Sequence, residues 1–261
     1  HSFPTRRSSD LRAWRRCETL GLPRAIVLTG LDKENTDFDA AVAALQDVWG
    51  NQCVPVTLPA PDGSAVVDVL AGAGDAGELA ERAEAIKGQL VEAAAETDDA
   101  LIEKYLGGEE LTPEEIAGGL RGAVRAGGLV PVFAVFPLQE TGVREFLDGA
   151  VRLFPSPAER AVQNADGEPV ETGADAPFVG KVWRSVNDPF VGQLTFLRVF
   201  GGSLQGEGEV MNPGREQKER YSALYVVNGK QQETVPSAGP GDIVAMAKLK
   251  ATGINDTLCA T

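Results

Sequence analysis

The first 157 residues alternate short apolar runs with stretches in which apolar side chains recur every three or four positions. The runs at residues 25–29, 54–58 and 129–136 predict strands. The first is of the buried type, and the second, which contains Pro55 and is followed by Pro59, is expected at the edge or the end of a sheet. The intervening stretches predict helices. Three of these helices have the apolar stripes Phe38, Val42, Leu45 and Trp49; Leu79, Ala83, Ile86 and Leu90; and Leu101, Tyr105 and Leu106. A last helix is predicted over residues 142–154. Alternating strands and helices indicate an α/β arrangement.

Helix ends are marked in the same region. Thr36 is the expected N-cap of the first helix, which Gly50 ends. Thr112-Pro-Glu-Glu115 has the sequence of a capping box with proline at the first helical position, and Gly127-Gly128 is the expected end of that helix.

The pattern changes after residue 157. Residues 158–176 are polar and rich in Ala, Glu, Asp and Gly, a composition typical of a linker. Short strands separated by turn residues follow, and Asn228-Gly229 is a strong hairpin signal. The predicted strands are residues 178–184, 193–200, 221–227 and 243–249. With no helical stripe among them, residues 177–261 are predicted to form an all-β barrel.

The amino-acid composition indicates which class of protein this is. Of 261 residues, 43% are hydrophobic and 24% are charged, which is the balance of a globular protein with a core. The longest apolar run, residues 129–136, is far shorter than the roughly 18 residues that a membrane helix needs. The three cysteines are widely separated, which argues against a disulfide framework or a cysteine metal site and favours a reducing, cytoplasmic location.

The only histidine is His1, so the sequence excludes Ser-His-Asp and Cys-His catalysis and histidine-ligated zinc within this chain. Residues 1–11 fit nothing that follows and resemble translated sequencing adapter, and they are left out of the fold prediction. If they are an artefact, the natural protein continues upstream.

The net charge of −14 is concentrated in residues 25–176, which carry nine basic and twenty-eight acidic side chains. Residues 177–261 carry nine basic and eight acidic ones, and this difference indicates two domains with different surfaces. Nucleic-acid contact, if any, is expected from the second block. Six of its cations either are ordinary surface charge or face RNA: Lys181, Arg184, Arg198, Arg215, Lys218 and Arg220.

Two motifs are interpreted as structural. Gly72-Ala-Gly-Asp-Ala-Gly77 spells a dinucleotide-binding pattern, but Asp75 and Glu78 would oppose a phosphate there, so a loop is predicted. The acidic stretch at residues 109–115 is interpreted as a solvated helix start. No Gly-x-x-x-x-Gly-Lys-Ser/Thr occurs, so this chain has no phosphate-binding P-loop and is not expected to hydrolyse a nucleotide alone.

Six segments, in order and at family-like spacing, resemble bacterial elongation factor G. Residues 22–38 resemble its guanine-recognition segment, and Asn187-Asp-Pro-Phe-Val-Gly-Gln-Leu-Thr-Phe-Leu-Arg-Val-Phe200 resembles the opening of its second domain. The others are Glu103-Lys-Tyr-Leu-Gly-Gly-Glu-Glu-Leu-Thr112, Leu153-Phe-Pro-Ser-Pro157, Gly241-Asp-Ile-Val-Ala245 and Asp256-Thr-Leu-Cys259. The chain is thereby identified as part of a translational GTPase of this family, resembling its divergent paralogues.

The resemblance implies a fold and a set of partners. Residues 12–157 would be the later part of a Ras-like α/β GTPase domain with an inserted helical subdomain, 158–176 a linker, and 177–261 the β-barrel domain II. The family binds and hydrolyses GTP on the ribosome to move tRNA and mRNA. The P-loop, switch regions, catalytic histidine and Mg²⁺ would lie upstream, so no catalytic or metal-binding residue is assigned here. A cytoplasmic monomer that contacts ribosomal RNA through domain II is expected.

The resemblance also assigns a nucleotide-binding site, with departures. The family's Asn-Lys-x-Asp reads Thr29-Gly30-Leu31-Asp32, so Asp32 remains to accept two hydrogen bonds from guanine, while the lysine over the base and the asparagine that ties the loop are replaced. The second guanine motif, Ser-Ala, aligns with Phe136-Pro137, and a proline offers no N–H. Restoring a lysine by Gly30→Lys is expected to tighten GDP binding. The alternative function is a ribosome-binding module whose degenerate G domain holds guanine nucleotide weakly or not at all.

Overall fold

A computed structural model describes residues 8–72, 78–156, 159, 162–164, 166–188 and 192–261. The chain divides into two compact units, His1–Pro155 and Ser156–Thr261. The first contains helices and a parallel sheet, and the second contains a large antiparallel sheet, as the sequence predicts.

The first unit alternates strands and helices. Its elements, in chain order, are α1 Ser8–Thr19, β1 Ile26–Leu28, α2 Phe38–Trp49, β2 Cys53–Pro55, β3 Thr57–Pro59, β4 Val66–Asp68, α3 Glu78–Ala95, α4 Asp99–Leu106, α5 Pro113–Ala126, β5 Val130–Ala134 and α6 Val143–Leu153.

The parallel sheet has the order β1-β5-β2, so β5 is its central strand and all five of its residues are buried. The prediction that β1 is a buried strand is wrong: none of its three residues is fully buried, and Val27 is 41% exposed.

The single strand predicted at residues 54–58 is in fact two. The chain leaves the parallel sheet after Pro55, and β3 pairs antiparallel with β4 instead. At this change of partner, the Ala134 amide of β5 donates to the Thr57 hydroxyl at 2.7 Å. The hydroxyl thus takes the place of a backbone carbonyl of the parallel sheet.

Helix termini agree with the sequence at one helix and differ at another. Thr112 and Glu115 form the predicted capping box, and Gly127 ends α5 in the left-handed conformation. The predicted cap at Thr36 is wrong, because Asp37 is the N-cap of α2 and its carboxylate accepts the Ala40 amide at 2.7 Å. The Thr36 hydroxyl bonds instead to carbonyls of the preceding loop.

The core of the first unit lies between the sheet and helices α3, α5 and α6. Helices α3 and α5 cross in close contact, and Gly119 of α5 lies against the backbone of Ala94. A smaller cluster joins α1 to α2, where the rings of Trp14 and Trp49 stack at 4.3 Å and the Arg24 guanidinium covers Trp14.

The second unit is built from strands of two to ten residues. They are β6 Val162–Gln163, β7 Pro169–Val170, β8 Val179–Asp188, β9 Gly192–Gly201, β10 Leu204–Gln205, β11 Gly208–Asn212, β12 Gln217–Tyr221, β13 Leu224–Asn228, β14 Gln231–Val235, β15 Ser237–Ala238, β16 Ile243–Ala247 and β17 Thr257–Cys259.

Eight of these strands form one antiparallel, barrel-like sheet in the order β12-β11-β17-β8-β9-β16-β13-β14. Apolar side chains from both halves of the sheet meet in its core, among them Val182, Leu197 and Leu258. A hairpin joins β13 to β14 as predicted, but its turn residues are Gly229 and Lys230, because Asn228 still pairs with Gln231. Within the predicted linker, β6 and β7 pair as a short hairpin, because Asn164 ties its turn together through three hydrogen bonds with Asp166 and Glu168.

Among the described residues, no helix combines the length and the apolar character that crossing a membrane requires.

Candidate functional site at the carboxyl edge of the parallel sheet

The two loops that carry the predicted site residues leave the sheet side by side. Strands β1 and β5 are parallel neighbours with Leu28 opposite Ala134, and the Val135 amide donates to the Leu28 carbonyl at 3.0 Å. Residues 29–32 follow β1, and residues 136–137 follow β5, at the same edge. Ligands of open α/β sheets bind outside this edge, where the carboxyl ends of the strands meet.

The first loop is held by local hydrogen bonds. Gly30 has a φ of +73°, and its carbonyl accepts the Lys33 amide at 3.3 Å, closing a turn around Leu31 and Asp32. The Thr36 hydroxyl lies 2.8 Å from the Leu31 carbonyl oxygen and 2.7 Å from that of Lys33, and the two carbonyls share its single proton. Thr36 therefore ties the loop together, a task that the resemblance assigns to the asparagine replaced by Thr29.

The second loop offers no free backbone donor at the aligned positions. Phe136 is buried, and its amide donates to the Thr141 carbonyl at 2.9 Å. Pro137 has no N–H. Both residues follow β5 at the carboxyl edge of the sheet, but neither can present the backbone N–H that the family's Ser-Ala motif directs at the base.

A side-chain hydrogen bond connects the two loops. Gln139 Nε2 donates to Asp32 Oδ2 at 3.2 Å, across 107 positions of sequence. The Gln139 amide donates to the Phe136 carbonyl at 3.2 Å, which fixes the turn from which its side chain extends. No sequence signal marks Gln139, because its role depends on the shape of this turn.

Lys33 occupies space beside Gly30. A Cβ on Gly30 would lie 3.4 Å from Cε and 3.7 Å from Nζ of Lys33. Because φ at Gly30 is positive, a side chain there costs about 1–2 kcal/mol of backbone strain. The gain in GDP affinity expected from Gly30→Lys is therefore opposed by strain and by repulsion from the Lys33 ammonium.

Two thiols are poor nucleophiles here. Burial raises the pKa of Cys53 to about 11 and also raises that of Cys259, so both are protonated at neutral pH. Within the ranges that the structure describes, no group of three or more His, Cys, Asp or Glu side chains is arranged to hold a metal ion.

The two motifs interpreted as structural have different outcomes. Of the glycine-rich motif, residues 73–77 lie outside the described residues. In the acidic stretch, Glu115 closes the capping box and pairs with Lys104 at 2.8 Å. The Lys104 hydrogen bond and the Thr112 amide lower the pKa of Glu115, so this carboxylate stabilises the helix start.

Four of the six cations considered as RNA contacts in the sequence contact their own domain. The ammonium of Lys181 donates to the Asn255 carbonyl, Arg215 pairs with Asp256 at 2.6 Å, and Arg184 and Arg198 lie 5.7 Å from the ring centroids of Phe196 and Phe200, respectively. Lys218 and Arg220 are exposed on β12 and share the face opposite the buried Glu219.

Comparisons with known proteins agree with this architecture. The family described as elongation factor G domain 2 matches residues 177–261. A crystal structure from Thermus thermophilus superposes with a TM-score of 0.83 at 30% sequence identity, and the match covers 98% of this chain. The chain spans 38% of the length of that structure. Residues 177–261 match the elongation factor G domain 2 family, and the helices and parallel sheet that precede them share the fold of the Thermus structure. Together these findings support a fragment of an elongation factor G family translation factor.

Proposed function

We propose that this chain is part of a translational GTPase that acts on the ribosome, and that its sheet edge recognises the guanine base of GTP and GDP. The observation that carries the proposal is the pairing of Asp32 with Gln139, which joins the loops after β1 and β5 where the family's two guanine motifs align. Family membership supports the nucleotide and the ribosome as partners.

Asp32 suits the guanine edge chemically. An ionised carboxylate only accepts hydrogen bonds and has about four lone-pair positions. Guanine presents N1–H and the N2 amino group as adjacent donors, whereas adenine presents an unprotonated N1 there. Gln139 uses one position on Oδ2, so the carboxylate retains acceptors for both guanine donors. Two hydrogen bonds to a charged acceptor would select guanine over adenine.

The remaining parts of the nucleotide call for residues beyond this chain. GTP supplies the anhydride bond whose hydrolysis drives the family's cycle, and its phosphates and Mg²⁺ would be held by a P-loop and switch regions of a longer protein. In that protein, residues 12–157 are the later part of the GTPase domain, 158–176 the linker and 177–261 domain II. A cytoplasmic monomer follows from the same resemblance.

Domain II is the part proposed to contact ribosomal RNA. Lys218 and Arg220 are the candidate contacts, because both are exposed and lie on one face of β12. Cations in such positions bind phosphates without reading sequence.

The test uses the full gene product, recovered by sequencing across the locus. Titration with GDP and ADP should give clear preference for GDP, and addition of ribosomes should accelerate GTP hydrolysis. Equal affinity for GDP and ADP would contradict guanine recognition. Hydrolysis that ribosomes do not accelerate would contradict the proposed action on the ribosome.

A second function is favoured by the Phe136-Pro137 segment, which lacks a free N–H for the base. In this alternative, the protein is a ribosome-binding module that holds guanine nucleotide weakly or not at all. The two functions differ in sedimentation with ribosomes, which would be independent of nucleotide for the binding module and would respond to GTP for the GTPase. Degenerate P-loop and switch motifs upstream would also favour the module.

A further inference from the structure

Two side chains outside the aligned motif positions approach the proposed base site. We infer that Lys33 covers the face of the guanine base in place of the lysine absent at position 30, and that Gln139 is a positioning residue for Asp32. This inference rests on the function proposed above, because it concerns the same site.

The position of Lys33 supports its role. The side chain of a lysine at position 30 would begin at a Cβ that lies 3.6 Å from Cδ, 3.4 Å from Cε and 3.7 Å from Nζ of Lys33. The outer half of the Lys33 side chain therefore crosses the space into which a side chain at position 30 would extend. The hydrogen bond from the Lys33 amide to the Gly30 carbonyl keeps the two residues adjacent.

The chemistry of Lys33 matches that space. A methylene stem with a terminal ammonium packs against a flat aromatic ring through apolar contact and through attraction of the cation to the π face. In the part of the chain that the structure describes, no carboxylate forms an ion pair with Lys33, so its ammonium is available to a ligand.

Gln139 acts from the opposite loop. Its side-chain amide holds Asp32 Oδ2 at 3.2 Å, while its own backbone is fixed by the turn at Phe136. A carboxylate on an exposed loop otherwise samples several rotamers, and one restrained in its binding orientation loses less entropy when the ligand arrives. The missing Ser-Ala motif is thus replaced by a side chain that orients the acceptor.

Lys33→Met tests the first role, because methionine keeps a similar length and removes the charge. Lys87→Met is the matched control, since Lys87 is a lysine on α3 that pairs with Glu84. In the full gene product, we expect Lys33→Met to weaken GDP and inosine diphosphate binding equally, by about five- to tenfold. Lys33→Arg should restore most of the affinity, and Lys87→Met should not change it.

Gln139→Leu tests the second role through base selectivity. Inosine lacks the N2 amino group, so the ratio of GDP to inosine diphosphate affinity measures how well Asp32 engages both guanine donors. We expect this ratio to fall in Gln139→Leu and to stay constant in Lys33→Met.

The outcomes separate the inference from the proposed function. If the unsubstituted protein prefers GDP to ADP but Lys33→Met binds like the Lys87→Met control, the role of Lys33 is wrong and guanine recognition stands. If Gln139→Leu binds GDP more tightly, Gln139 competes with the base and its positioning role is wrong. If the unsubstituted protein does not prefer guanine, both the proposed function and this inference fall.

Discussion

Gly119→Ala is expected to destabilise the first unit where helices α3 and α5 cross. A Cβ on Gly119 would lie 2.5 Å from the carbonyl oxygen of Ala94 and 2.9 Å from its carbonyl carbon and Cα. These are backbone atoms, so no side chain can rotate away, and α3 and α5 must separate to admit the methyl group. Gly118 is the matched control, because a Cβ there would meet nothing within 4 Å.

The magnitude follows from two opposing effects. Inserting a methyl group into a close-packed contact costs about 1–3 kcal/mol. Alanine in a helix interior gains about 0.5–1 kcal/mol over glycine. Gly119→Ala should therefore lower the free energy of unfolding by roughly 1–2 kcal/mol, whereas Gly118→Ala should raise it by about 0.5–1 kcal/mol through the helical preference alone.

Far-ultraviolet circular dichroism during urea unfolding is the suitable assay, because the α-helices of the described residues all lie in the first unit. Opposite shifts of the transition midpoint at adjacent positions of one helix would support the close crossing. Equal shifts in the same direction would refute it, since helical preference alone predicts that both substitutions stabilise.

Two further predictions concern helix capping and acid stability. Thr112→Ala should cost about 1 kcal/mol in the same helical unfolding assay, because it removes the side-chain acceptor of the capping box; a change below about 0.3 kcal/mol would contradict this. Arg215, the Gly253 amide and Asn212 lower the pKa of Asp256 to about 2, below its unfolded value near 3.9. The resulting stabilisation is present above about pH 4 and is lost as the pH falls towards 2. Asp256→Asn should therefore reduce the acid sensitivity of the second unit by roughly 1 kcal/mol, measured by Trp183 fluorescence in a background that carries Trp14→Phe and Trp49→Phe; an unchanged pH profile would contradict it.

Elements with local signals could be predicted from the sequence. The capping box at Thr112 and the hairpin after β13 each depend on residues a few positions apart. The capping box is where the sequence places it, and the hairpin turn lies one residue later than predicted, at Gly229 and Lys230. The cap of α2 could not be assigned in this way. Thr36 and Asp37 are both good N-caps, and the choice between them depends on the hydrogen bonds that Thr36 makes to the preceding loop.

Most of what the sequence did not indicate lies in strands that are too short or too polar to give an apolar pattern. Strands β10, β11, β12, β14, β15 and β17 are short, and several are interrupted by glycine or charged residues. Glu219 is an example, because a charged residue predicts an exposed position, yet it is only 6% exposed. Its carboxylate accepts the Lys250 and Ala251 amides and the Thr252 hydroxyl from a loop about thirty residues away.

Some residues of the candidate site could be predicted from the sequence and others could not. The resemblance to the family's two guanine motifs was sufficient to name residues 29–32 and 136–137 as candidate site residues. The positions of Lys33 and Gln139 beside these residues could not be predicted, because they depend on the left-handed backbone at Gly30 and on the turn after Phe136.

The most direct test of guanine recognition is the affinity of the full gene product and of Asp32→Asn for GDP and xanthosine diphosphate. Xanthine has a carbonyl where guanine has the N2 amino group, so an asparagine amide can donate to it while a carboxylate cannot. We predict that the unsubstituted protein prefers GDP and that Asp32→Asn prefers xanthosine diphosphate, with GDP weakened roughly ten- to hundredfold by the loss of charged hydrogen bonds. If Asp32→Asn binds both nucleotides as the unsubstituted protein does, Asp32 does not contact the base and the account is wrong.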